Sequence, residues 1–228
     1  MKSKISKLKY EIVSQYLSKL DNTIELVNSK EGITLRDIKN KMTFTLEFDD
    51  YCKIINKKSN HIFKKMFKGN QLNILDCTGG FGRDALLLAS FGNYITLIEE
   101  NPVIMSMLHD AADRIDNEIV NESYKRISPI FGNCIDFIRH NKNKYDYIYF
   151  DFMFNTNNSA LPNKRDQFLR KLVKNDPIRN KNIVIETIQR VQSKIIIKEH
   201  ISSNDFNDLN MTNCYKENTV KYNLINSE

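Results

Sequence analysis

Residues 73–89 read NILDCTGGFGRDALLLA. A short apolar run, Ile74 and Leu75, meets an acid at Asp76. Gly79, Gly80 and Gly82 follow, and then Arg83 and Asp84 open a second apolar stretch. This is the order of a buried strand, a turn that needs backbone freedom, and a helix whose first amides face whatever occupies the turn. The pattern D-x-x-G-G-x-G predicts a loop that lets a ligand approach the main chain. Taken alone, it also fits a tight structural turn.

Downstream of this stretch, strand and helix signals alternate. YITLIEEN (94–101) reads as a strand and PVIMSMLHDAADRI (102–115) as a helix with Pro102 at its favoured first position. ISPIFGN (127–133) is a strand, CIDFIRHN (134–141) a short helix, and YDYIYFDFMF (145–154) a strand with a nearly continuous apolar core. Strands apolar enough to be covered on both faces, separated by helices, predict an α/β fold with a mostly parallel, doubly wound sheet. The tail adds a helix over IVIETIQRV (183–191), the strand SKIIIKEH (193–200) and TVKYNLIN (219–226), expected as an antiparallel edge strand. The polar insertion 155–182 follows a strand end, the edge where open α/β sheets bind ligands.

Upstream, SKLKYEIVSQYLSKL (6–20) has helical spacing, MTFTLEF (42–48) alternates like a half-buried strand, and NKKSNHIFKKMFKGN (56–70) reads as a basic helix ending at Gly69. The expected organisation is a small N-terminal extension, residues 1–70, before a unit spanning 71–228.

Bulk properties limit the function. The 228 residues carry a formal charge of +6 and a pI near 9.0, with lysines grouped in 1–9, 56–68 and 174–182. That favours a polyanionic partner such as RNA, although a lysine-rich bias spread along the chain gives the same number. Cys52, Cys77, Cys134 and Cys214 are widely spaced with no Cys-x-x-Cys pair, which argues against a metal site or a disulfide framework. His61, His109, His140 and His200 lack metal or triad spacing and read as surface or basic-patch residues. No apolar run approaches the ~20 residues of a membrane span, so a reduced, cytoplasmic protein is expected.

The ligand of the glycine turn is narrowed by two other strand ends. Glu99 and Glu100 lie about twenty residues beyond the turn, where an acid accepts from ribose hydroxyls in nucleotide-binding folds. A nicotinamide oxidoreductase shares that acid, but Asp84 at the helix start would repel a pyrophosphate. Asp151, followed by Phe152, Met153 and Phe154, resembles the catalytic strand end of methyltransferases acting on exocyclic amines. There the polar side chain orients the amine and an aromatic ring stacks on the base. Phe152 and Phe154 also read as plain core aromatics.

The segments LDCTGGFGRDALLLASFG (75–92), LIEENPVIMSMLHDA (97–111), IYFDFMF (148–154), SAL (159–161) and SKIIIKEH (193–200) resemble, in order and spacing, the RsmJ family. These are 16S ribosomal RNA guanine-N2 methyltransferases. The resemblance covers about residues 72–225. It implies a class I, Rossmann-like fold, S-adenosylmethionine as cofactor, and small-subunit ribosomal RNA or the ribosomal subunit as partner, with neither metal nor membrane involved. Asp76, Gly79, Gly80, Gly82, Arg83, Asp84, Glu99, Glu100, Asn133, Cys134 and Asp151 would line the cofactor site. Asp151 and Phe154 would be catalytic, and Lys198 and the basic N-terminal helix would contact phosphate.

Three departures from the family are visible. Phe152 replaces a proline, Glu100 a basic residue, and Asn133-Cys134 a Ser-Ser pair; a glycine-rich basic stretch ahead of the first strand is also missing. The lost proline raises the expectation that Phe152→Pro would speed the reaction by restricting the backbone. The departures also leave a rival reading, an RNA-binding or ribosome assembly factor that keeps the fold with weakened catalysis.

Overall fold

The computed structural model describes residues 7–153 and 163–226. Helix α1 (Lys7–Leu20) leads into a three-stranded antiparallel sheet of β1 (Ile24–Ser29), β2 (Gly32–Asp37) and β3 (Met42–Thr45). The register pairs Leu26 with Leu35 and Leu35 with Phe44, so one face is apolar. Only β3 was expected. Strands β1 and β2 were nonetheless signalled by Ile24, Leu26, Ile33 and Leu35, alternating on either side of a Lys-Glu-Gly turn.

The expected basic helix over 56–70 does not exist as one element. It is α2 (Cys52–Asn56), a 3₁₀ turn at Lys58–Asn60, and α3 (Phe63–Met66). His61 breaks the run in an extended conformation. Phe63, Met66 and Phe67 are buried by the short helix that follows the break, at the i, i+3, i+4 spacing of one helical face.

The large sheet comprises β4 (Asn73–Asp76), β5 (Tyr94–Glu99), β6 (Ile127–Phe131), β7 (Tyr147–Phe150), β8 (Lys194–His200), β9 (Asn213–Glu217) and β10 (Val220–Asn226). Its order is β6-β5-β4-β7-β8-β10-β9, parallel from β6 to β8 and antiparallel thereafter. The expected doubly wound α/β sheet is present. The terminal strand differs from expectation: β10 is antiparallel but interior, paired on both sides, with Tyr222 and Ile225 buried. The mostly exposed β9 forms the edge.

Helices α4 (Arg83–Ser90), α5 (Pro102–Asp113), α6 (Glu118–Tyr124), α7 (Cys134–His140), α8 (Lys164–Leu172) and α9 (Pro177–Arg190) cover the two faces. The described part of the polar insertion thus folds into α8 and the start of α9. Asn101, Asn117, Asn133, Asn163 and Asp176 cap five helices through their own side chains, and Pro102 and Pro177 follow two of these caps.

One hydrophobic cluster runs from Leu17, Ile33 and Leu35 through Phe48 and Phe63 to Ile74, Leu86 and Tyr149, so the N-terminal sheet and one face of the large sheet share a core. Leu75, Ile148, Phe150, Val184 and Ile195 form the cluster on the opposite face. Each fully buried aromatic or aliphatic side chain contributes about 1.5–3 kcal/mol. The junction also carries polar ties: Asp110 accepts from Ile33 N at 2.9 Å, and Arg114 pairs with both Asp110 and Glu47. Among the described residues no helix is long and apolar enough to cross a membrane.

Candidate active site

Strand order reverses direction between β4 and β7, because the chain moves outward through β5 and β6 before crossing to β7. The connections that leave the carboxyl ends of β4 and β7 therefore run to opposite sides and leave a crevice at this switch point. A cavity of about 960 Å³ opens there, within the roughly 300–1,000 Å³ of small-molecule sites.

The glycine turn forms one wall. Gly79 N donates to Ile98 O at 2.9 Å, and a Cβ at Gly79 would lie 2.4 Å from Leu97 Cδ2 and 2.9 Å from Ile98 O. The turn can hug β5 only without a side chain there. Gly80 and Gly82 take left-handed backbone (φ 50° and 73°), and Gly82 caps α4.

Glu99 links this turn to β5. Its Oε2 accepts from Gly80 N at 2.8 Å and its Oε1 from Asn101 N at 2.7 Å. Burial pushes its carboxyl up to about 7, against the pull of those two amides. Asp76, at the end of β4, is likewise raised to about 7 by burial, with the Thr78 amide opposing. Glu100, also on the cavity, is held differently: Arg179 of α9 grips it with two bonds of 2.8 and 2.6 Å, and Asn133 Nδ2 adds a third at 2.7 Å. These bonds hold its carboxyl below the ordinary value. Asn133 also caps α7 and borders a neighbouring groove, whereas Cys134 is buried and lines the cavity.

The opposite wall is built on Asp151. Its amide donates to Thr78 Oγ1 at 2.7 Å, tying the ends of β4 and β7 together. Lys198 Nζ, from the middle of β8, donates at 2.7 Å both to Asp151 Oδ2 and to Asp84 Oδ2. Tyr149 OH donates to the same Asp84 oxygen at 2.8 Å. Burial works against the charge on Asp84, but Lys198, Arg83 and Tyr149 outweigh it and hold the carboxyl well below the carboxylate range. Lys198 is correspondingly raised: burial opposes its charge, and its two carboxylates more than restore it. Asp151, with fewer partners, is raised by burial.

Most of the expected cofactor residues thus meet on one cavity: Asp76, Gly79, Gly80, Gly82, Arg83, Asp84, Glu99, Glu100, Cys134 and Asp151 all border it, and Asn133 does not. Phe154 and Ser159 lie outside the described residues. Phe152 replaces the rigidity of a proline with packing, its ring stacked on Phe150 at 5.1 Å and on Phe206 at 6.0 Å.

Two expectations are corrected. Lys198 is no surface phosphate contact, because a cation in the middle of an interior strand is drawn to the carboxylates there; its side chain is 13% exposed. His61 is not a surface histidine. It lines the cavity, accepts from Phe63 N and packs edge-on against the Phe63 ring.

Thr78, Tyr149, Arg165 and Arg179 were missed. Arg165, on α8, borders the cavity beside Asp166 and Tyr51. Only Thr78 carried a signal in the sequence, as a hydroxyl inside the turn; the others depend on long-range contacts.

The residues present fit S-adenosylmethionine. The cavity wall carries the carboxylates of Asp76, Asp84, Glu99 and Asp151, acceptors suited to hydroxyls, an ammonium and a sulfonium and hostile to a pyrophosphate. Among the described residues no group of three or more His, Cys, Asp or Glu is arranged to hold a metal.

Comparison with known proteins agrees. A family model described as "Putative SAM-dependent methyltransferase" matches residues 13–226. A protein named ribosomal RNA small subunit methyltransferase J from Buchnera aphidicola subsp. Schizaphis graminum is 30% identical over 193 residues, 82% of this chain and 76% of that one. A protein of the same name from Legionella pneumophila subsp. pneumophila is 33% identical over 131 residues, 56% of this chain but only 52% of its own length. The crystal structure of a SAM-dependent methyltransferase from Neisseria gonorrhoeae superposes with a TM-score of 0.63 at 19% identity, covering 89% of this chain and 82% of that one, which supports the shared fold. With the match running through both the N-terminal sheet and the crevice, the chain belongs to the S-adenosylmethionine-dependent methyltransferases of the RsmJ family.

Proposed function

We propose that this protein methylates the N2 amine of a guanosine in small-subunit ribosomal RNA. The observation that carries the reading is Asp151, a carboxylate fixed at the switch point by Thr78 and Lys198 and facing the same cavity as Glu99. S-adenosylmethionine supplies a methyl already activated on a sulfonium, so the protein's task is positioning and exclusion of water.

Glu99 accepts from the ribose hydroxyls, and the Gly79–Gly82 turn lies against the cofactor with Asp76, Arg83, Asp84 and Cys134 around it. Asp151 accepts an N–H of the guanine amine, which aims the nitrogen lone pair at the methyl. It takes the surplus proton once the N–C bond has formed. Phe154 stacks on the base. Residues 1–70, whose sheet shares a core with the 71–228 unit, act as its RNA-gripping region, their lysines supplying phosphate contacts.

The rival assembly-factor reading rested on Phe152 and Glu100, and both have local partners that compensate the departure, Phe150 with Phe206 for one and Arg179 for the other.

The test is transfer of labelled methyl from S-adenosylmethionine to small ribosomal subunits lacking the modification, followed by nucleoside identification. Label in N2-methylguanosine supports the proposal. Label in another nucleoside, or cofactor binding with no transfer to RNA or subunits, overturns it.

A further inference from the structure

Lys198 is one cation held between two carboxylates in a nearly closed place. It donates at 2.7 Å to Asp84 Oδ2 and to Asp151 Oδ2, and its side chain and that of Asp84 are each only 13% exposed. Asp151 is 30% exposed, and among the described residues no hydrogen bond reaches its Oδ1. Among the described residues, therefore, one oxygen of Asp151 is spoken for and the other has no partner, on a carboxylate that borders the cavity.

The charges around this group come from several elements. Asp84 and Arg83 face it from α4, Asp76 from β4, Tyr149 from β7, Tyr222 from β10 and Arg165 from α8. His61 sits near Lys198 and Asp84 across the cavity. Two carboxylates sharing one ammonium cannot both remain ionised without it, because like charges this close in a buried site raise one pKa strongly.

We propose that Lys198 is the positioning residue of the methyl-transfer reaction: by bridging Asp84 and Asp151 it fixes the acceptor carboxylate and keeps it ionised, with one oxygen left for the substrate amine. This rests on the role given to Asp151 above. Asp84 sets the level of the device, since it competes with Asp151 for the same ammonium. The consequence is a defined acid limb in the rate profile. Protonated Asp151 can no longer accept the amine N–H, so the rate falls as pH drops through its pKa.

The test compares Lys198→Met, Lys198→Arg, Asp84→Asn and Asp151→Asn in kcat–pH profiles on unmodified subunits, with S-adenosylhomocysteine affinity by calorimetry. In Lys198→Met the affinity should stay within about threefold, while kcat at neutral pH falls about a hundredfold. Its acid limb should move up by about one pH unit or more. Lys198→Arg should restore part of the rate. Asp84→Asn alone, which frees Lys198 for Asp151, should move the limb down, and added to Lys198→Met it should recover rate.

A Lys198→Met variant slowed equally at every pH, or an unmoved limb in Asp84→Asn, overturns the proposal. The Asp84→Asn profile keeps it falsifiable if Lys198→Met does not fold. An Asp151→Asn enzyme with full rate removes the assigned role of Asp151 itself, and an inactive one beside an unmoved Asp84→Asn limb refutes Lys198 alone.

Discussion

Replacing Phe152 with alanine tests whether a ring can do what a rigid backbone does beside an acceptor site. Phe152 follows Asp151 directly and is half-buried, with its ring in parallel contact with Phe150 (5.1 Å, 15°) and Phe206 (6.0 Å, 20°). Each such aromatic pair contributes about 0.5–1.5 kcal/mol beyond burial, so the two together hold the strand end by about 1–3 kcal/mol. Phe152→Ala should lower unfolding free energy in urea titration by at least that amount, since the ring's burial is lost together with the two stacks. It should also lower kcat more than it weakens S-adenosylhomocysteine binding, since Asp151 loses its anchor. Phe152→Pro forfeits the same two stacks and regains only about 0.4–1 kcal/mol through the unfolded chain. It should therefore be less stable and slower than the parent protein, the reverse of the expectation drawn from the sequence. A Phe152→Pro protein that is both more stable and faster would refute the reasoning and show that a fixed φ outranks the stack.

Glu99→Ala should weaken S-adenosylhomocysteine binding by about 1–3 kcal/mol, as calorimetry would record, because ribose hydroxyls would lose a buried acceptor. Glu99 also shapes the pH dependence of the protein without ligand. Its folded pKa, raised to about 7, exceeds the unfolded value, so its contribution is complete at low pH and is lost as pH rises from about 4.5 through 7, at up to about 1.4 kcal/mol per pH unit. The stability difference between the parent and Glu99→Gln, followed by urea unfolding at pH 5, 6 and 7, should show that slope; a flat difference would place the carboxylate in water. Lys171 ties α8 to the N-terminal sheet through buried Asp37 at 3.0 Å. Lys171→Met should cost about 1–3 kcal/mol in thermal unfolding, since Asp37 then keeps only its Asn40 bonds.

What the sequence determined by itself is what local rules encode. The D-x-x-G-G-x-G turn, the strand that ends at Glu99 about twenty residues later, Pro102 at a helix start and the apolar run before Asp151 all state their backbone geometry within a few residues. Strand, turn and helix follow from periodicity and from the freedom of glycine, and the parallel sheet follows from their alternation. The ends of β4, β5 and β7 then meet because a doubly wound sheet has one switch point.

The tertiary structure decided which charges are partners. Lys198 lies 47 residues from Asp151 and 114 from Asp84, and nothing in SKIIIKEH distinguishes a lysine that faces solvent from one that bridges two buried acids. Arg179 reaches Glu100 across 79 residues, and Phe206 reaches Phe152 from a loop with no pattern of its own. The same holds for His61, which borders the cavity where the basic segment breaks and its own backbone is extended. Spacing along a chain records the period of an element. Which two elements meet, and therefore which charge is neutralised and which is left for a substrate, is settled only when burial forces every ionised group to find its partner in three dimensions.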